Sequence, residues 1–188
     1  MRYGLFPLLL LMGACAMPPP EPGVTLPEQA AWRGAGDPTR GAILSSAYVF
    51  GQPSTVAGNP AAAAEALGQL EFLAVELATG GRWQGGFDPL VVPMLRNGRA
   101  EARAAMGLRP DAAPQSAINA WYVAAAALRA GDRAAAEAAL APVAATPPET
   151  LRRLDPLPAL PAAAAATSRA QAALMARDSR GRDRWLFP

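Results

Sequence analysis

Proline sets the limits of regular structure in this chain. There are 20 prolines among 188 residues, and each removes a backbone donor and holds φ at about −65°. Among them, Asp37-Pro38, Asn59-Pro60 and Asp88-Pro89 each put a short side-chain acceptor directly before proline. That pairing puts a capping side chain at N-cap and proline at the first helical position, so each predicts a helix start.

The first predicted helix is Pro38–Phe50, with Ile43, Leu44, Ala47 and Phe50 on one face and Gly51 to stop it. The second is Pro60–Ala78, where Ala63, Leu67, Leu70, Ala74 and Leu77 recur at helical spacing before Gly80-Gly81. The third, from Pro89 to about Met106, carries Pro93 one turn in, which implies a kink or a later start. Pro114–Ala130 ends at Gly131, Asp132 caps Arg133–Ala141, and Thr146 with Pro147 and Glu149 has a capping-box pattern reaching Leu154. After the rigid run LDPLPALP, a last helix is expected over Ala162–Arg177, leaving residues 179–188 as a tail. No stretch alternates apolar and polar residues long enough for a strand. The fold class is therefore all-α, a small helical-hairpin array or bundle of about six helices.

Ahead of this body, Arg2 to Cys15 reads RYGLFPLLLLMGAC. The apolar run is too short for a membrane-spanning helix, which needs roughly 20 residues, and suits a secretory h-region after a basic start. Met12, Gly13, Ala14 and Cys15, the only cysteine, end it. These four positions resemble the lipobox of bacterial lipoproteins: a branched apolar residue (here Met12 in place of the usual Leu), two small residues and cysteine. The resemblance covers residues 1–15. It implies removal of residues 1–14, a diacylglyceryl group on Cys15 with an N-acyl chain, and stable anchoring through more than one chain. Ala16, rather than Asp, after the cysteine implies the outer membrane on its periplasmic side. An ordinary secreted protein cut after Ala14 or Ala16 is the alternative. Residues 15–36 are rich in proline, and Met17–Trp32 in polyproline II would hold the domain about 40 Å from the lipid. A disordered leader without a spacing role fits the same residues.

Trp121 to Leu140, WYVAAAALRAGDRAAAEAAL, resembles a single tetratricopeptide-like helical hairpin over residues 121–148. Gly131 falls in its turn, Ala136 at the close-packing point, Leu140 one turn later and Pro148 near the repeat end. Ala127 stands where the family prefers an aromatic, and no second copy follows at about 34 residues. A plain αα-hairpin is the alternative.

Composition narrows the chemistry. All 17 basic residues are arginine, histidine is absent, and the formal net charge is +2. The commonest general base, the Schiff-base and P-loop lysine, and cysteine–histidine metal sites are thereby excluded. No cofactor and no metal are expected, and near-neutral charge argues against a nucleic-acid partner. A carboxylate-dependent hydrolase would need two converging acids. Its candidates Glu65, Glu71, Glu76 and Glu101 lie in helical stretches where solvated faces are expected. Glu149 and Arg153, spaced i,i+4, should pair with each other.

Two stretches offer contact residues for a protein partner. In Thr79–Asp88, four glycines flank Arg82, Trp83 and Phe87, the composition of a loop hot spot. Alternatively, Trp83 and Phe87 fold back to plug the end of a helix pair. The tail carries Arg177, Arg180, Arg182 and Arg184 before Trp185, Leu186 and Phe187, suited to docking or to packing on the domain. The reading that follows is a non-enzymatic, lipid-anchored envelope protein that binds a protein partner. An envelope lipoprotein contacting peptidoglycan or the outer membrane is the second reading.

Overall fold

The computed structural model describes residues 21–31, 36–83 and 87–186. Its regular structure there is helical: α1 (Glu28–Ala31), α2 (Pro38–Gly51), a 3₁₀ turn (Pro53–Val56), α3 (Pro60–Thr79), α4 (Val91–Met106), α5 (Pro114–Arg129), α6 (Arg133–Leu140), α7 (Pro147–Arg152) and α8 (Pro161–Leu186). Among the described residues there is no strand, only an isolated antiparallel bridge between Leu108 and Ala144. The chain is all-α.

Local chemistry starts three of these helices as the sequence predicts. The Asp37 carboxylate accepts from the Thr39 amide at 2.9 Å, Asn59 Oδ1 from Ala62 at 3.0 Å and Asp132 from Ala135 at 2.8 Å. The third Asx-Pro pair behaves differently. Asp88 accepts from the Leu90 amide, but Asp88-Pro89-Leu90 forms a turn and the helix starts at Val91. Pro93 is thus in the first helical turn, where the missing N–H has no intrahelical partner to lose. The capping box expected at Thr146 is not formed. The Thr146 side chain caps nothing, and Glu149 turns instead to Arg152 and Arg153.

Packing is organised around α3, whose residues are buried on nearly every side. α2, α3, α4 and α8 close into a ring, each touching its two neighbours, and α5 packs on the other flank of α3. α6 lies against α5, with Gly131 in the turn at φ +73°, and α7 lies against α6. Two glycines make the closest approaches possible. A Cβ on Gly68 would meet the Tyr122 ring at 3.0 Å, and one on Gly98 would stand 2.8 Å from Ala163 Cα. The core is therefore built from alanine and glycine contacts filled by Trp121, Ile118, Leu70, Leu73, Leu95 and Met106, all essentially buried.

Polar ties also cross this body. Arg103 on α4 meets Glu71 on α3, and the Thr150 hydroxyl donates to the Met106 carbonyl at 2.8 Å. Leu154, Leu157 and Leu160, in the proline-rich connector, are buried and bring the chain back to α8.

Both ends depart from the predicted boundaries. The segment expected to act as a tether packs against the body from Glu21 onward. The Glu21 carboxylate takes two hydrogen bonds from Arg99, at 2.9 and 2.6 Å. Val24 is buried, and Gln115 receives from the Thr25 amide and donates to its carbonyl. A proline-rich segment that offers its backbone to a side-chain amide docks without needing a sheet. At the other end, α8 does not stop near Arg177 but continues to Leu186. Gly181 costs a helix only about 1 kcal/mol, too little to end one already propagated from a packed base.

Candidate functional site

The glycine-rich loop after α3 folds inward. Trp83 is 4% exposed, so the exposed aromatic anchor expected of it is corrected to a core position. Phe87, half-buried, meets it edge-on with ring centroids 5.6 Å apart at 74°. This is the plug arrangement, and it follows from apolar rings leaving water beside the open end of α3.

Arginines gather on the buried indole. The guanidinium carbons of Arg82 and Arg177 each lie 4.8 Å from the Trp83 ring centroid, within cation–π range. Arg82, half-exposed, pairs with Asp37 and donates to Thr39 Oγ1 at 3.0 Å. Arg40 pairs with Asp178 at 2.6 Å. Arg177 makes no ion pair among the described residues. Three guanidinium groups thus face two carboxylates around a hollow of about 220 Å³. Burial pushes the nearby Glu76 carboxyl up, with the Arg82 charge and the Trp83 indole pulling the other way. The indole N–H is buried and makes no hydrogen bond of ordinary geometry, with the Glu76 carboxyl near enough to feel its dipole.

A larger cleft of about 410 Å³ adjoins this cluster, and Asp37 and Arg40 line both. Leu26 and Ala30 of the docked arm, Leu44 of α2 and Tyr122 of α5 supply its apolar walls. Gln69 lines it from α3, and its buried Oε1 has no hydrogen-bond partner. Glu65, on the same helix, is ion-paired with Arg129.

The four glutamates considered for hydrolysis do not share a solvated face. Glu65 and Glu71 are buried, a correction to the expectation from helical periodicity. Each is matched by an arginine from another helix, Glu65 by Arg129 and Glu71 by Arg103. Burial pushes the Glu71 carboxyl up, while two hydrogen bonds from Arg103 favour the charged form; the two-pronged geometry is that of an ionised carboxylate. Glu101 accepts from the Ala163 amide at 2.9 Å, serving the first turn of α8. These acids hold helices together.

Of the predicted contact residues, Arg82, Trp83 and Phe87 come together as described. Trp185 and Leu186 fall in the last turn of α8, away from any coil tail, while Cys15 and Phe187 lie outside the described residues. Sequence reasoning missed the cleft. Gly41, a glycine inside the predicted first helix with no turn to make, was its one visible sign.

No family model, curated protein or solved structure matches this chain.

Proposed function

We propose that this chain is a lipid-anchored helical protein of the bacterial cell envelope, held through Cys15 on the periplasmic side of the outer membrane and acting by binding. The observation that carries this reading is the sequence Met12-Gly13-Ala14-Cys15 at the end of a short apolar run. Two structural facts support it. Glu21, six positions beyond the cysteine, is already clasped to the helical body, which suits a domain held near a surface by its N-terminus. No described helix is long and apolar enough to cross a membrane, so attachment would fall to the lipid.

Binding rather than catalysis is favoured by how the acids are used. Glu65, Glu71 and Glu101 are engaged by Arg129, Arg103 and the Ala163 amide, and the sequence has neither histidine nor lysine. Contact with an envelope protein partner would fall to Arg82 at the rim of the indole cluster and to Trp185, Leu186 and Phe187 at the chain end. No nucleic acid enters this reading.

The test is the mass of the mature protein extracted from membranes, beside a Cys15→Ala variant. A diacylglyceryl and acyl increment on Cys15, lost in the variant together with membrane retention, is the expected result. A product beginning at Ala16 or later and free in the soluble fraction would overturn the anchor.

A further inference from the structure

The cleft between the docked arm and α2 has the size of a small-molecule site, about 410 Å³ where such sites run from roughly 300 to 1,000 Å³. Its composition also follows the usual pattern of apolar walls with a few placed polar groups. Three features within it lack an internal explanation. The first is Gly41. Glycine inside a helix costs about 0.5–1 kcal/mol relative to alanine; Gly68 and Gly98 are explained by close packing, against Tyr122 and Ala163, whereas Gly51, Gly181 and Gly41 meet nothing. Gly41 has no such neighbour: no heavy atom lies within 4 Å of where its Cβ would sit, and that position lines the cleft. Its effect is to keep volume open.

The second is Gln69. A buried amide oxygen without a partner is costly, about 1–3 kcal/mol, and calls for a donor that the chain does not supply. The third is charge. Across the shared Asp37–Arg40 wall lies the hollow ringed by Arg40, Arg82 and Arg177, where Arg177 lies over the Trp83 ring and makes no ion pair among the described residues. The cleft is mostly apolar, with the ion-paired Glu65 in its lining, and the hollow holds three guanidinium groups against Asp37 and Asp178, with Glu76 close to Arg82.

We propose that the cleft and the arginine cluster form one binding site for an amphipathic anion: an acyl-type chain lying along Leu26, Leu44 and Gly41, ending in a single carboxylate or phosphate held by Arg177. Arg177 supplies a planar fork of donors suited to either headgroup, and the indole beneath it fixes the guanidinium plane. Asp37 and Asp178 hold Arg82 and Arg40 in place and disfavour a headgroup bulkier than one carboxylate or phosphate. This site stands apart from the anchor at Cys15, and its existence does not depend on it.

The test is calorimetric titration of the full chain carrying Cys15→Ala, so that no attached lipid or detergent competes. Four probes are used below their micelle concentrations: decanoate, decyl phosphate, decyltrimethylammonium and inorganic phosphate. At least one of the two chain-bearing anions should bind ten-fold or more tighter than either the ammonium of equal chain length or inorganic phosphate. The preferred anion then identifies the source, a free fatty acid for carboxylate or a lipid headgroup for phosphate. Gly41→Leu, which fills open space, should retain its melting temperature and lose affinity at least ten-fold. Arg177→Gln should weaken the preferred anion at least five-fold and leave the ammonium unchanged. Equal affinity for anion and ammonium, binding of inorganic phosphate alone, or undiminished affinity in folded Gly41→Leu would each overturn the proposal.

Discussion

Glu71 on α3 and Arg103 on α4 meet in a two-pronged ion pair, Nε to Oε1 at 2.6 Å and Nη2 to Oε2 at 2.8 Å, with both side chains nearly excluded from water. Arg103 also donates to the Pro110 carbonyl at 2.9 Å, so the pair fixes the loop after α4 as well as the helix contact. Removing one partner strands the other charge in the core. Glu71→Leu or Arg103→Met should each cost about 3–5 kcal/mol in urea unfolding, while the two together should cost clearly less than the singles combined. Additive losses in that cycle would mean the two side chains do not interact.

The Trp83 plug gives a second expectation. Trp83→Ala should destabilise the domain by about 3–5 kcal/mol, because the cavity opens under two arginines and a phenylalanine. Arg82→Ala, at a half-exposed residue, should change stability by no more than about 1 kcal/mol. Thermal melts of the two variants decide it, and equal small effects would return Trp83 to the surface.

Glycines at two helix positions should respond in opposite directions. Gly98→Ala forces a methyl to within 2.8 Å of Ala163 Cα and should destabilise by about 1–3 kcal/mol through the α4–α8 contact. Gly41→Ala meets nothing and should stabilise by about 0.5–1 kcal/mol. Chemical unfolding of both variants side by side reads the sign directly; a stable Gly98→Ala would mean the helices are further apart.

The docked arm is expected to be acid-labile. Hydrogen bonds from Arg99, aided by the charges of Arg99 and Arg96, hold the Glu21 carboxyl below its ordinary value, with burial opposing in part. A depressed carboxyl adds stability that is present above its unfolded value near 4.5 and is lost as pH falls through the lower folded value. Hydrogen exchange of the Val24 and Leu26 amides should therefore accelerate below about pH 4.5, and Glu21→Gln should show the faster rate already at neutral pH. Exchange independent of pH after correction for its intrinsic rate would argue against the clasp.

What could be read in advance divides by range of interaction. The caps at Asp37, Asn59 and Asp132 were legible because donor and acceptor stand two or three residues apart. So was the Glu149–Arg153 pair, one helical turn long. Glu71 and Arg103 are separated by 32 residues, and Gln115 reaches back 90 to Thr25. Such partners are chosen by packing, so helical periodicity placed Glu65 and Glu71 on solvated faces and proline content made the arm a free spacer. Trp83 illustrates the same limit: a glycine-rich loop with an aromatic can display it or swallow it, and the open end of α3 decides. The end of α8 was misplaced for a different reason: the residues past Arg177 continue a helix already propagated from the packed turns before them.

The arm clasp at Glu21 also sets a geometry for the anchored state. Six residues span at most about 20 Å when fully extended, so a domain gripped at Arg99 and lipidated at Cys15 would ride within one protein radius of the bilayer. Its encounters would then be two-dimensional. Any amphiphile or neighbouring envelope protein in the same leaflet would be met at the high effective concentration of a shared surface, and a modest intrinsic affinity would suffice for lasting occupancy.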